Sequence, residues 1–316
     1  MGPYVIRRLA LSLPSLILVS FIIFSLLRIL PGDVVMARIA ESGYASPETL
    51  QRMREQLGLD RNFFVQYFDW AFHAVQGDFG RSLWTNDEVL PTLLGRMRVS
   101  AEIAVLAVLT AVTVAIPLGV VSAVKQNTRI DYAARFFSIM GLSVPDFFLA
   151  TMLVLVLSKY VGWLPEFGWY SPLEHPLLNL QALIFPALII GYRLAAVTAR
   201  MTRSAMLEVM REDFVRTAHA KGLRARDVVI RHVLRNSLLP VVTIIGAQLT
   251  GLLGGLVVIE QIFSLPGLGR LTLDAVTHRD YTQVQGSVMV MATIFVMSNL
   301  AIDLTYVVLD PRIRYR

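Results

Sequence analysis

This 316-residue chain contains no cysteine, so neither disulfides nor thiolate metal sites are open to it. Charge is scarce as well. Only 16% of the residues are Asp, Glu, Lys or Arg, while 55% are hydrophobic. A soluble domain rarely tolerates that balance, and a polytopic membrane protein carries it routinely. Lysine is nearly missing: Lys125, Lys159 and Lys221 follow Val124, Ser158 and Ala220. A phosphate-binding loop needs a glycine directly before its lysine, so the chain has no such loop and nucleotide energy must come from a partner. The histidines at His73, His175, His219, His232 and His278 include no helical pair with an intervening glutamate, which removes the zinc-protease pattern. No serine sits in a glycine-flanked nucleophile elbow. Catalytic residues, metal sites and cofactors are therefore not expected. The net charge of +6 would suggest nucleic acid only if basic residues formed a surface of their own. Here they gather at the ends of apolar runs, which is the signature of a bilayer.

What the chain has in abundance is apolar length. A membrane span takes about 20 mainly apolar residues, and six segments qualify: roughly 9–30, 99–124, 136–160, 181–198, 238–260 and 287–308. The fold class expected is all-α, with six transmembrane helices. The first run is too long, and ends too polar at Arg28 and Pro31-Gly32-Asp33, for a cleaved signal, so it reads as a retained anchor. Lys and Arg set the orientation. Basic residues mark the start (Arg7, Arg8), the stretch after span two (Lys125, Arg129, Arg135), the stretch after span four, and the tail (Arg312, Arg314, Arg316). The intervening loops are acidic or balanced; 161–180 holds Glu166 and Glu174 and no basic residue. Both termini are thus expected in the cytoplasm. The division that follows is 1–30 for tail and first span, 31–98 for a long external helical loop, and 99–316 for the membrane core with a cytoplasmic loop at 199–237.

Two helices are expected in the external loop. Ser46-Pro47-Glu48 supplies a cap, a proline at the first helical position and an acidic first turn, and Gly58 ends that helix. A second starts near Asn62 and lines up Phe63, Phe64, Tyr67, Phe68, Ala71, Phe72 and Val75 before Gly77. That stripe suits packing on the outer ends of the spans or lying in the interface.

The loop between spans four and five carries the strongest signal. Nine basic residues from Arg200 to Arg235 face only Glu208, Glu212, Asp213 and Asp227. Contact with anionic membrane lipid would satisfy that charge alone. The spacing, however, also predicts a helix from about Glu212 to Lys221 that ends at Gly222 in a left-handed cap. A second follows over about Ala225 to Ser237, with Asp227, Arg231 and Arg235 spaced for ion pairs and Pro240 marking the start of span five. Lipid contact does not call for a glycine break in an ordered loop. A rigid elbow made to be gripped does.

Those residues carry a resemblance. Arg216-Thr217-Ala218-His219-Ala220-Lys221-Gly222-Leu223, followed by His232-Val233-Leu234-Arg235-Asn236-Ser237-Leu238-Leu239-Pro240, resembles the coupling loop of ABC-importer permeases. It is similar above all to the first permease subunit of the dipeptide, oligopeptide and nickel family. Tyr4-Val5-Ile6-Arg7-Arg8, Leu30-Pro31-Gly32-Asp33 and Gln76-Gly77-Asp78-Phe79-Gly80 belong to the same pattern, as do Ile259 to Arg270, Arg279-Asp280-Tyr281 and Asp310 to Arg314. The resemblance implies a heterodimeric pore with a second permease subunit, cytoplasmic ATP-binding subunits and an extracytoplasmic substrate-binding protein. It also implies that the first loop helix docks on an ATPase through Asp213, Arg216, Thr217, Ala218, Lys221, Gly222 and Leu223. Ala218 and Gly222 match the small residues of the coupling motif, whereas Arg216 stands where many such permeases have glutamate. Nickel-chelate and glutathione importers share this frame, so the substrate stays open. A stand-alone secondary transporter would favour a charge relay and an internal repeat of spans, and neither is evident.

Ionisable residues inside spans are costly and point to function or pairing. Arg28, Arg193, Glu260 and Asp303 lie near span ends, where snorkelling and anchoring account for them. Asp146 follows Pro145 about ten residues into span three. It is a candidate for the permeation path, a partner for a neighbouring helix, or the mark of a break at Pro145. Gly246, Gly251, Gly254 and Gly255 give span five a small-residue face, suited to close packing or to lining a pore.

Overall fold

A computed structural model describes residues 2–29, 51, 60–162 and 168–309 of the chain. The helix expected between Ser46 and Gly58 (apart from Gln51), the Pro31-Gly32-Asp33 motif and the Asp310 to Arg316 tail lie outside the described residues. Within them the architecture is helical, with one isolated antiparallel bridge between Arg81 and Glu88. The helices are α1 (Gly2–Ile29), α2 (Phe63–Val75), α3 (Val89–Val124), α4 (Arg129–Ser143), α5 (Asp146–Val156), α6 (Pro176–Val209), α7 (Asp213–Ala220), α8 (Arg235–Ile262), α9 (Leu268–Thr277) and α10 (Tyr281–Leu309). Five stretches, within α1, α3, α6, α10 and the helical run from Ala225 through α8, are long and apolar enough to cross a membrane. α4 and the helical run Asp146–Val161 make a sixth if that bent pair counts as one span. Two compact units result, Met1–Ser100 with Pro266–Met297 and Ala101–Leu265 with Ser298–Arg316.

The expected third span, 136–160, is not one continuous helix. α4 and the helix from Asp146 meet at an angle of 96°. The cause is local: proline disfavours the helical region for the residue before it, and Val144 and Pro145 are both extended, at φ −97°, ψ 122° and φ −64°, ψ 141°. Asp146 then opens α5, where a carboxylate suits the positive end of the helix. Of the readings left open for Asp146, the break at Pro145 is observed.

In the first unit, α2 is held on α1 by rings. Asn62 caps α2, its Oδ1 accepting from the Phe64 N–H at 3.0 Å. Phe63, Tyr67 and Trp70 then meet Phe21 and Phe24 of α1, mostly edge to face at 5.3–6.1 Å. Tyr67 also shares a 2.9 Å hydrogen bond with Ser20. The expected apolar stripe is therefore divided: Phe63 and Tyr67 turn to α1, while Phe64, Phe68, Phe72 and Val75 remain exposed. Arg28 does more than snorkel. Its guanidinium lies 3.4 Å over the Phe24 ring and its Nε donates to Gln66 Oε1 at 3.0 Å.

Two motifs distant in sequence meet in that unit. Asp280, 2% exposed, caps α10 by accepting from the Gln283 N–H at 3.1 Å. The same carboxylate accepts from the Ser82 hydroxyl and from the Leu83 and Trp84 amides at 3.0 and 3.3 Å. A buried carboxylate needs donors of this kind, and the loop after Gly77-Asp78-Phe79-Gly80 supplies them.

In the second unit α6 is the central element. About two thirds of its apolar window (67%) is buried, against 28% or less in each of the other four long helices. Small residues let its neighbours approach: a Cβ on Gly119 of α3 would stand 2.6 Å from Thr202, and one on Gly141 of α4 would stand 2.7 Å from Ala196. Tyr192 of α6 donates to the Phe137 carbonyl of α4 at 3.0 Å. Gly246 of α8 packs on α10, 2.6 Å from Ile302 by the same measure, while Gly251 has open space before it. Packing thus accounts for Gly246.

Candidate functional site

The elbow expected after span four is present and is built on the second unit. α6 ends at Val209, a turn follows at Met210 to Glu212, and α7 begins at Asp213. Two residues of α7, Val215 and Ala218, are buried against Met206 of α6, Ala123 of α3 and Val228 and Val233 beyond the break. Apolar residues three apart lie on one helix face, which is why this short helix has a seat. Ala218 therefore faces inward at 7% exposure, and its small size serves packing within this chain.

The outer face carries the other expected residues. Asp213, Arg216, Thr217, Lys221, Gly222 and Leu223 are all exposed. Arg216 pairs with Asp213 at 3.3 Å, one turn away, and Thr217 donates to the Asp213 carbonyl at 3.0 Å. Exposed pairs of this kind contribute about 0–1 kcal/mol, so their effect is to orient side chains. Phe214 and Leu223 add exposed apolar surface among these charges.

The glycine break behaves as expected. Lys221 caps α7 and Gly222 turns left-handed at φ +80°. The Gly222 N–H donates to the His219 carbonyl at 2.9 Å and the Leu223 N–H to the Ala218 carbonyl at 3.3 Å. This is the paired closure that satisfies the last carbonyls of a helix and favours glycine at its turning point.

Beyond Gly222 the structure departs from expectation. One turn, Ala225–Asp227, passes into a π-helical stretch, Val228–Leu234, and on without interruption into α8. Pro240 lies inside α8 and does not mark where it begins. Among the described residues no ion pair joins Asp227, Arg231 and Arg235. A π-helix bonds i to i+5, so side chains four apart lose the alignment that an α-helix gives them.

The polar centre beside the elbow went unread in the sequence. Asp131 of α4 has no exposed surface. Its Oδ1 and Oδ2 accept from Arg203 Nε and Nη2 of α6, both at 2.8 Å. The Ser122 hydroxyl of α3 donates to it at 2.6 Å and the Asn127 N–H at 2.9 Å. A bidentate guanidinium–carboxylate pair is strong and geometrically specific, and this one ties three helices together near the root of α7. The available signal was a lone carboxylate between Arg129 and Arg135 in a stretch counted only for positive charge. Asp146 is also paired: its Oδ2 lies 2.6 Å from Arg193 Nε of α6. Pairing with a neighbouring helix, one of the alternatives left open for it, is the arrangement observed, and Arg193 is held where free snorkelling was expected.

A helical chain with several bilayer-length apolar helices and a capped, partly basic elbow between two of them defines a polytopic membrane transport component. The chain belongs to the family described as binding-protein-dependent transport system inner membrane component, whose profile matches residues 115–315. A companion profile for the N-terminal part of such membrane components matches residues 1–104. It is therefore a multi-pass inner-membrane permease subunit of an ABC importer. Among its relatives, the dipeptide transport system permease protein DppB of Alkalihalophilus pseudofirmus is 37% identical, covering 99% of both chains. DppB of Escherichia coli K12 is 38% identical over 99% of both chains, and a putative peptide transport system permease protein of Brucella abortus is 40% identical over 100% of both. The fold is similar to that in inward-facing structures of the MetNI methionine ABC transporter. One has a TM-score of 0.56 and 17% identity, covering 70% of this chain and 98% of that one.

Proposed function

We propose that this subunit forms half of the translocation pore for di- and oligopeptides, with both termini in the cytoplasm and the loop after α1 outside. The observation that carries the substrate class is alignment over 99% of both chains with permeases named for dipeptide transport. Peptide reaches the pore from an extracytoplasmic binding protein, and a second permease completes the pore. Hydrolysis of ATP belongs to partner subunits, since no lysine of this chain follows a glycine.

In this reading α7 docks on an ATP-binding subunit. Asp213, Arg216, Thr217, Lys221 and Leu223 make the contact, while Ala218 and Gly222 fix the helix on its seat and end it. Nucleotide drives transport only if it favours one pore conformation over another, because equal affinity for both shifts nothing. The elbow is where such a preference would enter the chain. The test is uptake of labelled dipeptide into proteoliposomes. The expected result is ATP-dependent uptake by the full assembly with binding protein, and none by this chain alone. Robust ATP-independent uptake by the lone subunit overturns the proposal.

A further inference from the structure

A cavity of about 340 Å³ opens among α3, α4 and α6, beside the Asp131–Arg203 pair. Its lining has three guanidinium groups, Arg135, Arg200 and Arg203, and three hydroxyls, Ser122, Ser138 and Ser204. The carboxylate at its edge is Asp131, which Arg203 already neutralises through two hydrogen bonds. Two positive charges are left over. Arg135 touches Asp131 only at 3.7 Å and lies 4.3 Å over the Tyr132 ring, and its buried Nε has no hydrogen-bond partner among the described residues. Arg200 makes no ion pair among the described residues, although it lines the same space. Three guanidiniums against one carboxylate leave the lining with an excess of positive charge, open to solvent at Arg135 and Arg200, and an anion bound there offsets it.

The surroundings select the kind of anion. The lip of the cavity on α4 carries Ile139, and Phe136 and Tyr132 stand beside it on the same helix, all exposed. Exposed apolar and aromatic side chains next to paired arginines, on a helix that packs against a bilayer-spanning one, fit an amphiphile. Guanidinium forks match phosphate geometry, and basic pockets between transmembrane helices on the cytoplasmic side suit anionic lipid headgroups. We propose that the cavity between α3, α4 and α6 binds the phosphate of an anionic phospholipid, its acyl chains lying along Phe136 and Ile139. The proposal rests on the reading of the chain as a bilayer permease whose basic loops face the cytoplasm. Its readout is bound lipid, while that reading is judged by peptide uptake, so either can fail without the other.

The experiment uses the assembled importer in bilayers of phosphatidylcholine with and without phosphatidylglycerol, and native mass spectrometry to count the lipid retained. Arg135→Gln with Arg200→Gln removes the positive charge in excess of the Asp131–Arg203 pair. Arg224→Gln with Arg226→Gln on the exposed elbow removes the same charge outside the cavity. At about 1 kcal/mol for each basic residue near an anionic lipid, affinity for phosphatidylglycerol is expected to fall roughly 30-fold in the cavity variant. The elbow variant is expected to match the wild type. Equal loss in both variants, or none in the cavity variant, overturns the site. Inorganic phosphate that protects the importer against heating as well as phosphatidylglycerol does, and displaces it, overturns the lipid as occupant. Cross-linking of cysteines placed at Ile139 and in the second permease, with no lipid retained, overturns it in favour of a subunit contact.

Discussion

Replacing Asp131 by alanine puts the polar centre beside the elbow to its most direct test. The substitution removes the acceptor for two guanidinium hydrogen bonds at 2.8 Å, the Ser122 hydroxyl at 2.6 Å and the Asn127 amide at 2.9 Å. The Arg203 charge is left without its partner. Breaking a buried ion pair from one side typically costs about 3–5 kcal/mol. Asp131 has no exposed area, but the Arg203 side chain is 18% exposed and opens on the cavity, so water or an anion reaches it. The lower end, about 3 kcal/mol, is therefore the expected cost. For a chain of this size that corresponds to an apparent melting point lower by roughly 5–10 °C.

The assay is thermal unfolding of the assembled importer in one detergent, followed by size-exclusion recovery. Asp131→Ala, Asp131→Leu and Arg203→Met, each alone, should be strongly destabilised. Asp131→Leu with Arg203→Met should recover most of the loss, because a well-packed apolar pair is often as stable as a buried salt bridge. If the single variants melt within about 1 °C of wild type, the pair is not structural. If the double variant loses the sum of the single losses, the two side chains are not coupled and the argument from geometry fails.

Three further outcomes are expected. Gly222→Val imposes a side chain at φ +80°, costing about 1 kcal/mol or more, so α7 should lose its closure while the protein stays in the membrane; unchanged substrate-stimulated ATP hydrolysis in the assembled variant contradicts a coupling role. Asp146→Asn leaves Arg193 without its charge partner, and stability should fall by about 1–2 kcal/mol because both side chains are partly exposed; normal thermal stability with altered substrate preference would instead assign Asp146 to the permeation path. Gly119→Val drives a side chain into Thr202 and the Ala199 carbonyl at 2.6 and 2.8 Å, so the α3–α6 approach should open and recovered folded protein should drop severalfold; recovery at wild-type level shows that the approach is slack.

Much of this architecture was legible because its causes are local. Apolar runs mark the spans, Asn62 and Gly77 bracket α2, and Gly222 ends α7. The elements that escaped depend on partners remote in sequence. Asp131 finds Arg203 across 72 positions and Asp280 finds Ser82 across 198, and periodicity within one helix carries no information about either. The π-helical stretch at Val228–Leu234 leaves no mark in residue type, so the i,i+4 rule assigned its charges to pairs that do not form. Proline was informative only with its neighbour. Pro117, Pro186 and Pro240 are carried inside helices, where membrane helices tolerate them, whereas Val144-Pro145 breaks one because both residues are extended.

The polar contacts of the second unit converge on one helix. Arg203 ties α6 to α4, Arg193 ties it to α5, and Thr198 receives a hydrogen bond from Gln248 of α8 at 3.1 Å. The same helix ends at the elbow, whose buried side chains lie on its Met206. α7 has only eight residues and cannot hold its own shape, so its position is set by that seat and by the closure at Gly222. That seat is shared by Ala123 of α3, Met206 of α6 and the Val228–Leu234 stretch that runs into α8, so a displacement of α7 would bear on all three. Close-packed helices answer a push by moving as bodies. If α7 docks on an ATPase as proposed, α6 is the element that links α4, α5 and α8, and the bend at Pro145 separates α4 from α5.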